Sequence, residues 1–134
     1  MIQFYFLSIL LNAIAGYALI TDDESGSPLH GIREYLSDET FRLVLGVLAV
    51  VTGFFKLLSA VRGDIPVIGD LFPSLAGLAA GFSLVYEYYR SRTSISSEKA
   101  ERLELLFVKN RKWIGYSALL AAFAHFLFPT VLFL

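Results

Sequence analysis

FRLVLGVLAVVTGFFKLLSAV, residues 41–61, is the stretch whose reading decides the architecture. Past Arg42 in its first turn, Lys56 is its only charge. About 20 predominantly apolar residues are what a helix needs to cross a hydrocarbon core about 30 Å thick. Lipid offers backbone groups no hydrogen-bond partner, so a spanning segment of this kind has to be helical.

Three further blocks have the same character. Residues 2–20 are broken only by Gln3, Ser8 and Asn12, and residues 71–89 and 113–134 complete the set. The sequence therefore predicts an all-α, polytopic membrane protein. One domain, residues 1–134, holds four transmembrane helices in a compact bundle, with spans at about 2–20, 41–61, 71–89 and 113–134 and short amphipathic loop helices between them. Composition agrees: 56% of the residues are hydrophobic and 17% charged. Soluble domains run nearer 45–50% apolar with about a quarter charged. Residues 1–20 lack the positive n-region of a signal peptide and exceed its usual apolar length, so they are expected to be a retained first helix.

Function classes narrow as well. A net charge of −1 speaks against a nucleic-acid partner. There is no cysteine, which excludes disulfides, thiol redox chemistry, Cys-ligated zinc and iron–sulfur clusters. Glycine-rich phosphate loops, a nucleophile elbow and paired intramembrane carboxylates are not found either. No cofactor, metal or catalytic residue is expected.

The connections carry their own signals. Ser27 and Pro28 suit a helix start, and Leu29, Ile32 and Leu36 follow at helical spacing, predicting a short helix on the membrane surface. Ser37, Asp38 and Glu39 should cap the second span and place negative charge at its positive dipole end. Arg62, Gly63, Asp64, Pro66 and Gly69 predict a tight turn, with Pro73 in the first turn of the third span. The third connection should be partly helical, with Ser97 as N-cap and Glu98 and Arg102 paired at i,i+4. It is also basic, holding Arg90, Arg92, Lys99, Arg102, Lys109, Arg111 and Lys112. The positive-inside rule then makes loops 21–40 and 90–112 cytoplasmic and puts both termini outside. The first loop is acidic, which counts little in that rule and lets the two loops attract each other.

Candidate functional residues follow from the cost of polarity in lipid. Asn12, Thr52, Lys56 and His125 form a candidate intramembrane polar site. Lys56 has two readings: its stem snorkels to the interface or pairs with Asp70, or its ammonium serves a substrate or ion. His125 either bridges helices by hydrogen bonding or relays protons. Ser74, Gly77 and Gly81 make a small-residue face on the third span, open to packing within the bundle or against a partner. Phe4, Tyr5, Tyr86, Tyr88, Tyr89, Trp113 and Tyr116 are expected in the interfacial aromatic belt. Arg42, Gly46, Gly53 and Lys56 together resemble a pattern of the DoxX-like four-helix membrane family. The resemblance covers one helix of four, which comes second here rather than first.

The leading expectation is a non-enzymatic subunit or assembly partner of a membrane complex, in contact with membrane lipid. Self or another membrane subunit would dock through the third helix. The alternative is a small oligomeric transporter or channel using Lys56, His125 and Asn12.

Overall fold

A computed structural model describes residues 2–21, 30–58 and 71–128, and all elements among them are helical. They are α1 (Ile2–Ile20), α2 (His30–Ser37), α3 (Glu39–Leu58), α4 (Leu71–Arg92), α5 (Glu98–Leu103) and α6 (Arg111–Leu127), with a π-helical turn at Glu104–Val108. Helices α1 and α3 are long and apolar enough to cross a membrane. The turn at residues 62–69, the start signal at Ser27 and Pro28, and the proposed partner Asp70 lie outside the described residues.

Local chemistry sets the visible boundaries. The Asp38 carboxylate accepts from the Phe41 amide at 2.9 Å and Glu39 sits in the first turn of α3, as expected of a cap at a positive dipole end. Ser97 Oγ accepts from the Ala100 amide at 3.2 Å and starts α5, and Arg102 reaches Glu98 at 2.7 Å. Pro73 lies in the first turn of α4, where its missing N–H costs nothing. Arg90 and Arg92 close that helix at its negative end.

The four long helices pack as two close pairs, α3 with α4 and α1 with α6, joined by contacts of α1 with α3 and α4 and of α4 with α6. Glycine explains how near each pair comes. A Cβ on Gly81 would lie 2.6 Å from the Gly46 carbonyl oxygen, and one on Gly46 would lie 2.8 Å from the Gly81 carbonyl oxygen. The other pair repeats this reciprocity, each of Gly16 and Gly115 facing the other's carbonyl oxygen at 2.7 Å from a built Cβ. Any side chain at these crossings would force the backbones apart, so dispersion contacts along the whole pair depend on them.

The core is correspondingly small-grained: Ala15, Ala18, Ala49, Ala80, Ala118 and Ala121 are all buried. Large apolar side chains point outward instead. On α3, Val44, Val47, Leu48, Val51, Phe54 and Phe55 are exposed, while Gly46, Ala49, Thr52, Gly53 and Lys56 are buried.

Candidate functional site

Two groups of polar side chains stand out, near opposite ends of the long helices. At one end α1 begins and α6 finishes, so Tyr5 meets the last turns of α6. Its hydroxyl donates to the His125 carbonyl oxygen at 2.7 Å, and its ring lies 4.6 Å from the imidazole, centroid to centroid. The Lys56 ammonium stands over the same Tyr5 ring, 5.6 Å from its centre. That is within cation–π range, where an aromatic face offers a cation partial compensation for lost water.

Lys56 is 2% exposed and His125 is 1% exposed. The snorkelling reading of Lys56 is therefore corrected: its stem runs inward among the helices and its ammonium ends inside the packing. The reason is its face. Lys56 follows Ala49, Thr52 and Gly53 along the inward stripe of α3, so its Cα points at α1 rather than at the surface.

The remaining predicted residues are placed individually. Asn12 lies two turns further along α1 from Tyr5, and its side-chain amide donates to the Pro73 carbonyl oxygen at 3.0 Å. That carbonyl belongs to the α4 terminus, and the bond fastens α1 to α4. Asn12 also fills the space beside Gly77, its Oδ1 standing 2.7 Å from where a Cβ there would be. Thr52 is buried on α3 one turn before Lys56. Tyr5 thus joins Lys56 to His125, while Asn12 works at a separate crossing. Ser74, Gly77 and Gly81 are all buried within the chain. Gly81 meets α3, Gly77 lies between α1 and α3, and the Ser74 carbonyl oxygen is 3.0 Å from a Cβ built on Gly53.

At the opposite end the organising residue is Arg42, in the first turn of α3. One guanidinium nitrogen donates to the carbonyl oxygens of Ala18 at 3.0 Å and Leu36 at 3.2 Å, and the other donates to Glu87. Ala18 and Leu36 lie in the last turns of α1 and α2, whose final carbonyls have no intrahelical donor. One side chain therefore satisfies the ends of two helices and carries positive charge to their negative dipole ends. Glu87 balances it from α4, and Arg111, opening α6, stands 3.6 Å from the other Glu87 oxygen. Around these groups lies a cavity of about 270 Å³ whose wall includes Thr21, Glu39, Arg42, Glu87, Tyr88 and Arg111.

Outside the cavity the basic connection folds back on α4. The Tyr86 hydroxyl donates to the Ala100 carbonyl oxygen at 2.8 Å, Phe82 meets Phe107 at 4.6 Å, and Arg90 bonds Glu104 at 2.8 Å. Tyr86 is buried, so it is not a surface member of an aromatic belt; it ties α4 to the connection that follows it. Trp113 is 75% exposed. Sequence reasoning missed Glu87, Arg111 and Tyr5 as site members. An acidic residue closing an apolar run, seven positions (two turns) after Ala80, was the available signal for Glu87.

Among the described residues, no group of three or more His, Cys, Asp and Glu side chains is placed to hold a metal ion. No solved structure matches the chain. A protein-family model matches residues 1–125. Over 134 residues, the full length of both chains, the sequence is 34% identical to an uncharacterized protein of Treponema pallidum (strain Nichols). The chain therefore belongs to the family that this model describes, with the Treponema protein as a full-length relative.

Proposed function

We propose that the chain is an integral membrane protein whose four long helices cross the bilayer, and that it acts as a non-enzymatic subunit or assembly partner of a membrane complex. The observation that carries this reading is the division of α3 into two faces. Valine, leucine and phenylalanine point outward, and glycine, alanine, threonine and lysine point inward. In water that arrangement would expose the strongest apolar surface and conceal a cation. In hydrocarbon it is the favourable one, since close packing of small residues and interhelical polar bonds hold membrane helices together.

The polar side chains support a structural role for the same reason. Asn12, Tyr5 and Arg42 each donate to a backbone carbonyl on another helix. Their bonding capacity goes into holding helices in place. In this reading the Gly77–Gly81 seam serves the chain's own packing, and contact with a second copy or another subunit falls to the outward side of α4, where Phe72, Leu75 and Phe82 are exposed. Loops 21–40 and 90–112 face the cytoplasm, drawn there by the basic residues of the latter.

One observation favours the transporter alternative: Lys56 and His125 are buried together against a single ring. Two substitutions separate the readings. Lys56→Met keeps an apolar stem and removes the charge, and Lys56→Arg keeps charge with a bulkier, forked head. We expect both variants to insert, fold and co-purify with the same partners in mild detergent. Normal folding with selective loss of ion or solute flux in proteoliposomes would replace the subunit reading with the transporter. Orientation is tested by single cysteines, which this cysteine-free chain reports without background. Cysteine at Ser94 should resist an impermeant thiol reagent in intact cells while cysteine at Gly63 reacts; the opposite labelling inverts the topology.

A further inference from the structure

The third connection touches α4 at several levels, and it dips before it returns. The Tyr86 hydroxyl donates to the Ala100 carbonyl oxygen at 2.8 Å, and Arg90 reaches Glu104 at 2.8 Å. The Phe107 ring then meets Phe82 at 4.6 Å, and Arg111 comes back beside Glu87. The π-helical turn Glu104–Val108 therefore carries the connection nearest the middle of α4. Phe82 lies seven residues before Tyr89, where the apolar run of the third span ends, or about 10 Å along a helix axis. The turn's composition suits that depth. Leu105, Leu106, Phe107 and Val108 are consecutive apolar residues between Glu104 and Lys109. Phe107 packs inward on Phe82, while Leu105 and Leu106 are 53% and 55% exposed. Polar groups of the turn are served within the chain. The Lys109 amide donates to the Glu104 carbonyl oxygen at 3.0 Å, and the Asn110 side-chain amide donates to the Leu105 carbonyl oxygen at 3.0 Å.

Resting on the membrane reading above, we infer that the turn Glu104–Val108 is seated in the chain's own bilayer, with Leu105 and Leu106 among the acyl chains just below the head groups of the cytoplasmic leaflet. Continuity of surface supports this occupant. Past the turn, the exposed side of α6 carries Trp113, Tyr116, Leu120 and Phe123, so one apolar surface runs from the connection onto the span. Lys109 stands exposed between the two, and its long stem lets the ammonium rise to the phosphates while the turn stays below them. Backbone satisfaction supports it too, since hydrocarbon offers a peptide group no partner and the turn's bonds are made inside the chain. An interfacial segment is held by the apolar area it buries, and two outward leucines supply that area here. The third connection then has two parts. Residues 94–99 stay in water, and the π-helical turn is a strap lying between α4 and lipid.

The test uses the full chain in phosphatidylethanolamine–phosphatidylglycerol liposomes. A nitroxide is attached at Leu106→Cys and, in a second variant, at Leu105→Cys, and the cysteine-free parent adds no background label. Power-saturation EPR reads its collisions with oxygen, which concentrates in lipid, and with a water-soluble nickel chelate. Leu120→Cys on α6 gives the lipid reference, and Ser94→Cys gives the aqueous one. The oxygen-to-nickel ratio at both turn positions should approach that of Leu120 and exceed that of Ser94 several-fold. A ratio equal to that of Ser94 at either position puts the turn in water and overturns the inference. Few collisions with both reagents put it against protein, a second copy or another subunit, and overturn it equally. The Leu120 label keeps the two layers apart. If that position also behaves like Ser94, the membrane reading fails; if it is in lipid and the turn is not, only the seat of the turn is refuted.

Discussion

The two ends of the helix packing handle their cations in different ways. Around Arg42, charge meets charge: a guanidinium answers one carboxylate and two helix-end carbonyls, drawing α1, α2, α3 and α4 to one point. Around Lys56, an ammonium stands over the Tyr5 ring, and the same residue's hydroxyl secures the last turns of α6. Guanidinium geometry accounts for part of the contrast. A planar fork with five donors can serve several acceptors at fixed angles, whereas an ammonium acts as a compact point charge. The Arg42 end is consequently a structural junction with a chamber beside it. The Lys56 end includes an aromatic contact that smaller changes can disturb.

The largest effect should come from breaking the junction. Arg42→Ala leaves the partly buried Glu87 carboxylate and two helix-end carbonyls without their donor; with both side chains of the pair 16% exposed, the loss should fall at or below the lower end of the about 3–5 kcal/mol of a fully buried pair. Loss of the folded chain from detergent extracts, read by size-exclusion chromatography, is the expected outcome. If Arg42→Ala purifies with parental thermal stability, the junction is not what organises that end.

Next in size is the crossing that both ends share. Gly81→Ala places a methyl group against the Gly46 carbonyl oxygen and the Val50 amide nitrogen, both backbone atoms. Overpacking of this kind costs about 1–3 kcal/mol. Gly77→Ala should cost less, because its nearest neighbour is the end of the Asn12 side chain, which can turn aside. Thermal unfolding in detergent should rank parent, Gly77→Ala, Gly81→Ala in falling order. The reverse ranking of the two variants would mean that the Asn12–Pro73 bond holds the helices more firmly than the α3–α4 crossing does.

A smaller effect sharpens the view of the Lys56 end. Tyr5→Phe keeps the ring beneath the ammonium and removes the hydroxyl that bonds the His125 carbonyl, at a cost of about 1 kcal/mol. Tyr5→Leu also removes the aromatic face and should be the less stable of the two by a further ~1 kcal/mol or more in a desolvated site. Equal stability of the two variants would show that the ring contributes only its volume.

The smallest expected effect lies outside both ends. Arg102→Gln breaks an exposed i,i+4 pair with Glu98, and the melting temperature should not move measurably.

Much of this was legible from spacing alone. The helical blocks follow from runs of apolar residues, and α1 and α3 are long and apolar enough to span a membrane. Asp38 and Ser97 announced the starts of α3 and α5 because a cap acts within one turn of chain. Lys56, His125 and Asn12 stood out as polar groups in apolar surroundings, and all three are buried. These are local properties, settled by residue type and by neighbours within a few positions.

What local pattern could not supply was which face meets which. Tyr5 and Tyr86 read as belt aromatics, yet the pairing of α1 with α6 turns Tyr5 onto His125, and the fold of the third connection covers Tyr86 with Ala100. Arg42 and Glu87 are 45 residues apart and become partners only when α3 and α4 close on their glycines. Sequence by itself determined that this chain is helical, unusually apolar and sparing with charge. Tertiary structure decided that Arg42, Arg111, Glu39 and Glu87 meet around one chamber and that Lys56 is set over one ring, because contacts between distant helices depend on backbone approach distances that no run of residues records.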